Sequence, residues 1–313
     1  MKKVSVIIAN RNDLQMLLVT VLSAVEAMKE IDGEVVVVDN SDNEYVKCVE
    51  MLLSGQVKDG TTRLIRQNKP SEAASMERAA VEAQGEHLFY TDSHSLIGTG
   101  TITACLDFFE RHKGEPIGFV HAPIQWAHNS SRARKMSFRL HRNCLGSWGK
   151  ISNEELKITW KGMPHMVRKD VYHEIGGYGC LAEHHVGWGG LIPYLGIKPW
   201  IFGYENWAIP HGVSYHFGEY PKPCREYIKY RLYNRHGDYP AGTGHVVTAY
   251  VYGGEQFLRD NFALTRMERY FADVDQALRI AKEIGEKERQ WVLKNQKISF
   301  EELLENPPWG KDF

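Results

Sequence analysis

The sequence predicts an α/β protein, with a doubly wound, mostly parallel sheet followed by a C-terminal helical extension. Two observations carry that expectation. Apolar β-branched runs alternate with helix-length segments through the first 122 residues, at the spacing of right-handed βαβ units. Beyond Pro221 the composition turns to basic and mixed-charge helical sequence.

Residues 3–9 (KVSVIIA) read as a strand buried on both faces. Asn10, Arg11, Asn12 and Asp13 break it, and Asp13 is placed to cap a helix over residues 14–29. Gly33 turns the chain into a second buried strand, residues 34–38, ending on Asp39, Asn40, Ser41 and Asp42. A helix over 43–54 and a weaker strand over 62–65 come next. Pro70, Ser71 and Glu72 open a helix that Gly85 stops, and residues 86–90 form the strand after it. A helix over 99–112 and a strand over 117–121 complete this half. Further on, residues 195–203 (LGIKPWIFG) read as a helix end and a strand, and 209–218 as the strand that closes the core. An amphipathic basic helix over 227–235, a flexible loop over 241–244 and a mixed-charge helix over 255–295 follow. The expected division is one domain over 1–220, with halves 1–122 and 123–220, and the extension over 221–313, packed on the sheet.

The composition, 43% apolar and 25% charged over 313 residues with a formal net charge of -1, is that of an ordinary soluble globule. It excludes a wholesale basic nucleic-acid binder but not a local patch. Five scattered cysteines without a C-x-x-C pair argue against a disulfide scaffold or structural zinc, and for a reducing compartment. No apolar run reaches the roughly 18 residues of a membrane span, and Met1-Lys2-Lys3 leads into a strand and not a signal peptide. A cytoplasmic protein is expected.

Ligands of such sheets sit beyond the carboxyl ends of the strands, where Asn10, Asp39 and Asp92 fall. A dinucleotide fold needs G-x-G-x-x-G after the first strand, because only glycine lets the backbone close on a pyrophosphate. Here that turn is Ala9-Asn10-Arg11-Asn12. A nucleotide must therefore be held by side chains and a metal. In Tyr90-Thr91-Asp92-Ser93-His94-Ser95, Asp92 and His94 share a face if the chain is extended. A carboxylate and an imidazole together suit Mn²⁺ and tolerate Mg²⁺, leaving positions for phosphate oxygens. On these residues alone, a surface turn is the competing account.

VSVIIANRND, EVVVVDNSD and GEHLFYTDSH resemble the nucleotide-sugar half of GT-A glycosyltransferases, in particular the family-2-like group. The resemblance implies that Asn10 and Asp39 contact the uridine of a UDP-sugar donor and that Asp92 ligates the metal. D-x-H in place of D-x-D is similar to the polypeptide GalNAc-transferases. That pattern implies a third ligand from a C-terminal histidine; His216 stands where it falls, with His211 the second choice. The usual Gly-x-x-x-Ala-Arg-Asn appears here as Ser71-Glu72-Ala73-Ala74-Ser75-Met76-Glu77, which leaves Arg78 as the substitute for the arginine that contacts the diphosphate. Trp188-Gly189-Gly190 is similar to the W-G-G turn of the same enzymes, but Leu191-Ile192 replaces the acidic residue that follows it. Inverting members carry a Glu-Asp pair in this region to deprotonate the acceptor. Glu183 is the nearest carboxylate and the candidate catalytic residue, with an ordinary surface glutamate as the competing account. The resemblance to the GalNAc-transferases favours retention at the anomeric carbon.

Residues 116–153 contain no Asp or Glu but carry Arg132, Arg134, Lys135, Arg139, Arg142 and Lys150 among Trp126, Phe138 and Trp148. This is either a solvated basic segment or, with Trp188, an acceptor surface for DNA or another anionic polymer. The expected activity is metal-dependent transfer of a sugar from a nucleotide-sugar to a hydroxyl, on a glycan or on a hydroxymethylated base in DNA. A nucleotidyltransferase, or a non-catalytic carbohydrate- or nucleic-acid-binding protein, is the rival.

Overall fold

The alternating residues of the first strand divide the molecule into layers. In the computed structural model, which describes residues 2–127, 136–140, 146–150, 153–159, 162–187, 189–217, 239–240, 242–263 and 270–309, β1 (Lys2–Asn10) is central. Val4, Val6 and Ile8 pack into one apolar cluster with α1 (Leu14–Ala27), α2 (Asn43–Lys58) and α4 (Thr101–Arg111). Ile7, on the opposite face, joins α3 (Glu72–Glu82) and α7 (Leu191–Ile201) in the other. A strand apolar on both faces is what a covered parallel sheet requires.

β1 runs parallel to β2 (Gly33–Asp39) and to β4 (Gly85–Asp92), and β2 to β3 (Thr62–Arg66). The eight-stranded sheet continues past β4 through β11 (His165–Arg168), β6 (Ile117–His121), β12 (Glu205–Ala208) and β10 (Leu156–Lys157). β11 is antiparallel to both β4 and β6, so the sheet is mixed on that side. A second sheet has three strands, β5 (Ser95–Ile97), β13 (Ser214–His216) and β7 (Ile124–Trp126). β8 (Met136–Leu140) and β9 (Gly146–Lys150) form a two-stranded ribbon. The short helices α5 (Lys169–Glu174) and α6 (Gly179–Glu183) follow β11.

Residues 195–203 are not a helix end and a strand: 191–201 form one helix, and the strand begins at Glu205. The run is buried on nearly every side, so it shows neither the period of 2 nor that of 3.6. Pro199 sits in the last turn, where its missing N–H costs a single bond. Of residues 209–218, only Ser214–His216 form a strand, and it lies in the small sheet. The segment over 241–244 is not all loop, because α8 spans Thr243–Asn261. The mixed-charge run over 255–295 divides into the end of α8 and a separate helix, α9 (Val274–Asn295). The helix expected over 227–235 lies outside the described residues.

Together with α10 (Phe300–Glu305), α8 and α9 contribute Val247, Val251, Ala281, Ile284 and Leu303 to the same cluster as Ile7 and α7. Lys198 on α7 is fully buried, donating to Gly176 O (3.1 Å), Gly177 O (2.8 Å) and Glu288 Oε1 of α9 (2.6 Å). No helix among the described residues is long and apolar enough to cross a membrane.

Candidate functional site: a carboxylate–imidazole triad beside a polar strand edge

Parallel strands in register deliver their last residues side by side. Asn10 lies opposite Asp39, and Asp39 opposite Arg66. Asn10 Nδ2 donates to Asp39 Oδ1 (2.8 Å), as does Ser41 Oγ (2.5 Å), while Arg66 pairs with Asp39 Oδ2 (2.9 Å). Arg66 also donates to the carbonyls of Asp39 and Ser41. Asp39 is nearly inaccessible, so burying it is tolerable only because a guanidinium and three neutral donors, the third being the Ser41 N–H (3.3 Å), satisfy it. Asn10 Oδ1 is buried and has no donor among the described residues. Just beyond, Asn40 Nδ2 and Gln67 Nε2 both donate to Ser75 Oγ (2.7 and 3.0 Å) at the start of α3.

Asp92 ends β4, one residue along from Asn10, since Ala9 pairs with Asp92. A two-residue turn then leads into β5, whose Ser95 lies opposite His216 of β13. Phe217 N donates to His94 O (3.0 Å), closing the pair of strands at this end. The register therefore sets His216 beside His94 across 122 residues of sequence: their Nε2 atoms are 3.1 Å apart, and His216 Nε2 is 3.3 Å from Asp92 Oδ2. One ligand atom from each of Asp92, His94 and His216 lies within 4.8 Å of the others. Two cis ligands at about 2.1 Å on an octahedral ion stand about 3.0 Å apart, so the 3.1 and 3.3 Å edges fit one divalent cation. The donor set, two imidazoles and a carboxylate with positions left over, suits a divalent transition ion. Partial burial disfavours the charged His94 ring, but the carboxylates of Asp13, Asp92 and Glu72 outweigh it and hold the imidazole above its ordinary value.

Arg78 does not join the cluster, because its guanidinium donates to Arg66 O (2.8 Å) and Glu82 on the exposed side of α3. Glu183 is exposed at the end of α6, which packs against α3 and α9. His211, the second choice for the third ligand, is exposed and is not part of the triad. Arg132, Arg134, Lys135 and Trp188 lie outside the described residues. Gly189 and Gly190, which follow that tryptophan, dock tightly on the start of α8: a Cβ on Gly190 would stand 2.2 Å from the Gly244 carbonyl carbon. Sequence reasoning missed Arg66, although its place at the end of a strand beside Asp39 was a usable signal. It also read Asp13 only as a helix cap.

No curated protein matches the chain. Among solved structures it is similar to GalNAc-T7 with UDP, GalNAc and Mn²⁺, at a TM-score of 0.66 and 15% identity, over 90% of this chain and 55% of that one. It spans little more than half of that relative's length. A second is S. aureus TarS 1–349, at 0.49 and 15% identity, over 85% of this chain and 73% of that one. At 15% identity the likeness to GalNAc-T7 is one of fold, a GT-A arrangement. The model for glycosyl transferase family 2 matches residues 5–172, more than half of the sequence, and the chain belongs to that family.

Proposed function

We propose that the protein transfers a sugar from a UDP-sugar to a hydroxyl acceptor, with Mn²⁺ as the bound ion. The observation that carries this reading is the adjacency of two unlike sites on one sheet edge: the Asp92–His94–His216 triad and the buried Asn10–Asp39–Arg66 cluster. The first suits a cation that meets diphosphate oxygens, and the second suits a nucleoside. Asn10 Oδ1 is a buried acceptor with no donor among the described residues. The N3–H of uracil is one. GalNAc-T7, the fold relative at TM-score 0.66, was solved with UDP and Mn²⁺.

When bound, the ion would supply Lewis-acid stabilisation of charge on the departing diphosphate. Asp92, His94 and His216 would hold it, and Asn10 and Asp39 would orient the nucleoside, so their work is positioning. Domain use follows the same lines: residues 1–122 handle the donor, 123–220 the acceptor, and 221–313 form a helical extension. For the acceptor, the acid-free basic segment over 116–153 favours an anionic polymer, with hydroxymethylated bases in DNA as its hydroxyl-bearing form.

The test is a screen of UDP- and GDP-sugars with Mn²⁺, reading nucleotide release with and without DNA containing hydroxymethylpyrimidines. Release of UDP dependent on both Mn²⁺ and the modified DNA is the expected result. Pyrophosphate in place of UDP would identify a nucleotidyltransferase, and no turnover with any donor would identify a binding protein. UDP release without DNA but with a glycan would move the acceptor assignment.

A further inference from the structure

We infer that Asp13 is a positioning residue for the metal triad, and that α1 as a whole is the brace that fixes the Asp92–His94 turn. The inference rests on the metal reading above. Asp13 stands at the N-cap of α1, where Oδ1 accepts from Met16 N (3.3 Å). Its other oxygen faces the turn: Oδ2 lies 3.1 Å from His94 Nδ1 and 3.3 Å from Ser93 Oγ. An ionised carboxylate can only accept. Nδ1 of His94 must therefore carry the proton, and the lone pair is left on Nε2, the nitrogen that faces His216 and Asp92. A ligating imidazole whose far nitrogen is fixed by a carboxylate is oriented and made more basic.

The same helix holds the backbone of the turn. Thr20, fully buried, donates from Oγ1 to Ser93 O (2.8 Å) and accepts from Ser95 N (3.1 Å). One turn on, Ser23 Oγ accepts from Ile97 N (3.0 Å). These side chains do for β5, on the side turned toward α1, what a neighbouring strand would do. Asp13, Thr20 and Ser23 lie 7 and 3 residues apart, the spacing of one helix face. A helix that only covered the sheet would need apolar residues at those positions. Polar ones aimed at the turn cost burial energy that their hydrogen bonds offset.

Asp13→Asn separates positioning from capping. Asparagine caps a helix as well as aspartate, so thermal stability should change little. Its amide, however, can donate to Nδ1 and favour the Nε2–H tautomer, which cannot ligate through Nε2. Mn²⁺ affinity is measured by electron paramagnetic resonance on the full chain, and the His94 tautomer by ¹⁵N NMR of the metal-free protein. The expected result is a 10- to 100-fold weaker Mn²⁺ affinity in D13N, the range for such outer partners, with His94 as Nδ1–H in the wild type and shifted toward Nε2–H in the variant. Thr20→Val should weaken Mn²⁺ binding in the same direction, and Thr20→Ser, which keeps the hydroxyl, should restore it. A folded D13N that binds Mn²⁺ within twofold of the wild type, or a wild-type His94 found as Nε2–H, would overturn the assignment while leaving the triad intact. A wild-type protein that binds no Mn²⁺ would overturn the triad reading and this one with it.

Discussion

Replacing Lys198 should reveal whether the C-terminal helices unfold with the sheet or apart from it. The ammonium group is fully buried and makes three close contacts, two to carbonyls of the Gly176–Gly177 turn and one to Glu288 of α9, itself only 12% exposed. Lys198→Met keeps most of the side-chain volume but strands the Glu288 carboxylate and leaves the two carbonyls without this donor. Breaking a buried pair from one side costs about 3–5 kcal/mol. For a chain of this size that corresponds to a fall in Tm of roughly 5–8 °C, if unfolding is a single transition. Removing both charges, as in K198M/E288L, should recover about half of that loss, because no uncompensated charge remains. The assay is thermal unfolding followed by far-UV circular dichroism and by tryptophan fluorescence, with Trp291 of α9 against the Lys198 region as a reporter. Coincident transitions displaced together would show a single cooperative unit. A K198M protein melting within 2 °C of the wild type would refute the argument that this pair ties α7, the glycine turn and α9 together.

Three further outcomes follow from the site and its surroundings. Mn²⁺ at about 100 times its dissociation constant should stabilise the wild-type protein by about 2.7 kcal/mol, Mg²⁺ should do less, and His94→Ala or His216→Ala should abolish the effect in a thermal-shift titration. Asp39→Ala removes the acceptor shared by Asn10, Ser41 and Arg66; UDP affinity, read by calorimetry, should fall roughly 10- to 100-fold, the worth of a hydrogen bond to a charged group. Burial pushes the His245 imidazole down to about 4, and its Nδ1 has no hydrogen-bond partner among the described residues. The unfolded ring, near 6.5, takes up its proton first as pH falls, so stability contributed at neutral pH is lost between about 6.5 and 4, by about 2 kcal/mol at pH 5. His245→Gln should flatten that part of the stability profile relative to the wild type.

How far the sequence could be read depended on whether one face or two were buried, and on how far apart the partners lay. Strands β1 and β2, sealed on both sides, were legible within a residue or two. Asp92 and His94 were readable because the turn that joins them is local. His216 came from a family resemblance and not from its own surroundings, since nothing near it in the sequence encodes the β5–β13 register that brings it to His94. Helix α7 was misread for the opposite reason: burial on all sides erased its period. Arg66 and Asp13 escaped notice because each does a second, ordinary job, ending a strand or capping a helix, and a single sequence cannot show that one side chain does two.

On the proposed reading, the charge around the triad also sets an order on binding. Asp92, Asp13 and Glu72 all act on His94 as negative neighbours, and Asp39 is already neutralised by Arg66. Among the described residues, the end of the site that the proposed reading gives to the diphosphate is therefore the acidic end, while Arg66 and Arg11 are already paired with Asp39 and Asp42 at the end given to the nucleoside. An anionic donor approaching without a cation meets repulsion. A unit charge about 6 Å from one carboxylate, at an effective dielectric constant near 20, costs roughly 2.8 kcal/mol, equivalent to about 100-fold in affinity. UDP should accordingly bind weakly in chelator and at least tenfold more tightly with Mn²⁺, whereas uridine, which lacks the phosphates, should bind with an affinity that Mn²⁺ barely alters. Calorimetric titrations of both ligands with and without Mn²⁺ decide it. Equal Mn²⁺ dependence for uridine and UDP would mean that the acidic triad is not where the diphosphate goes.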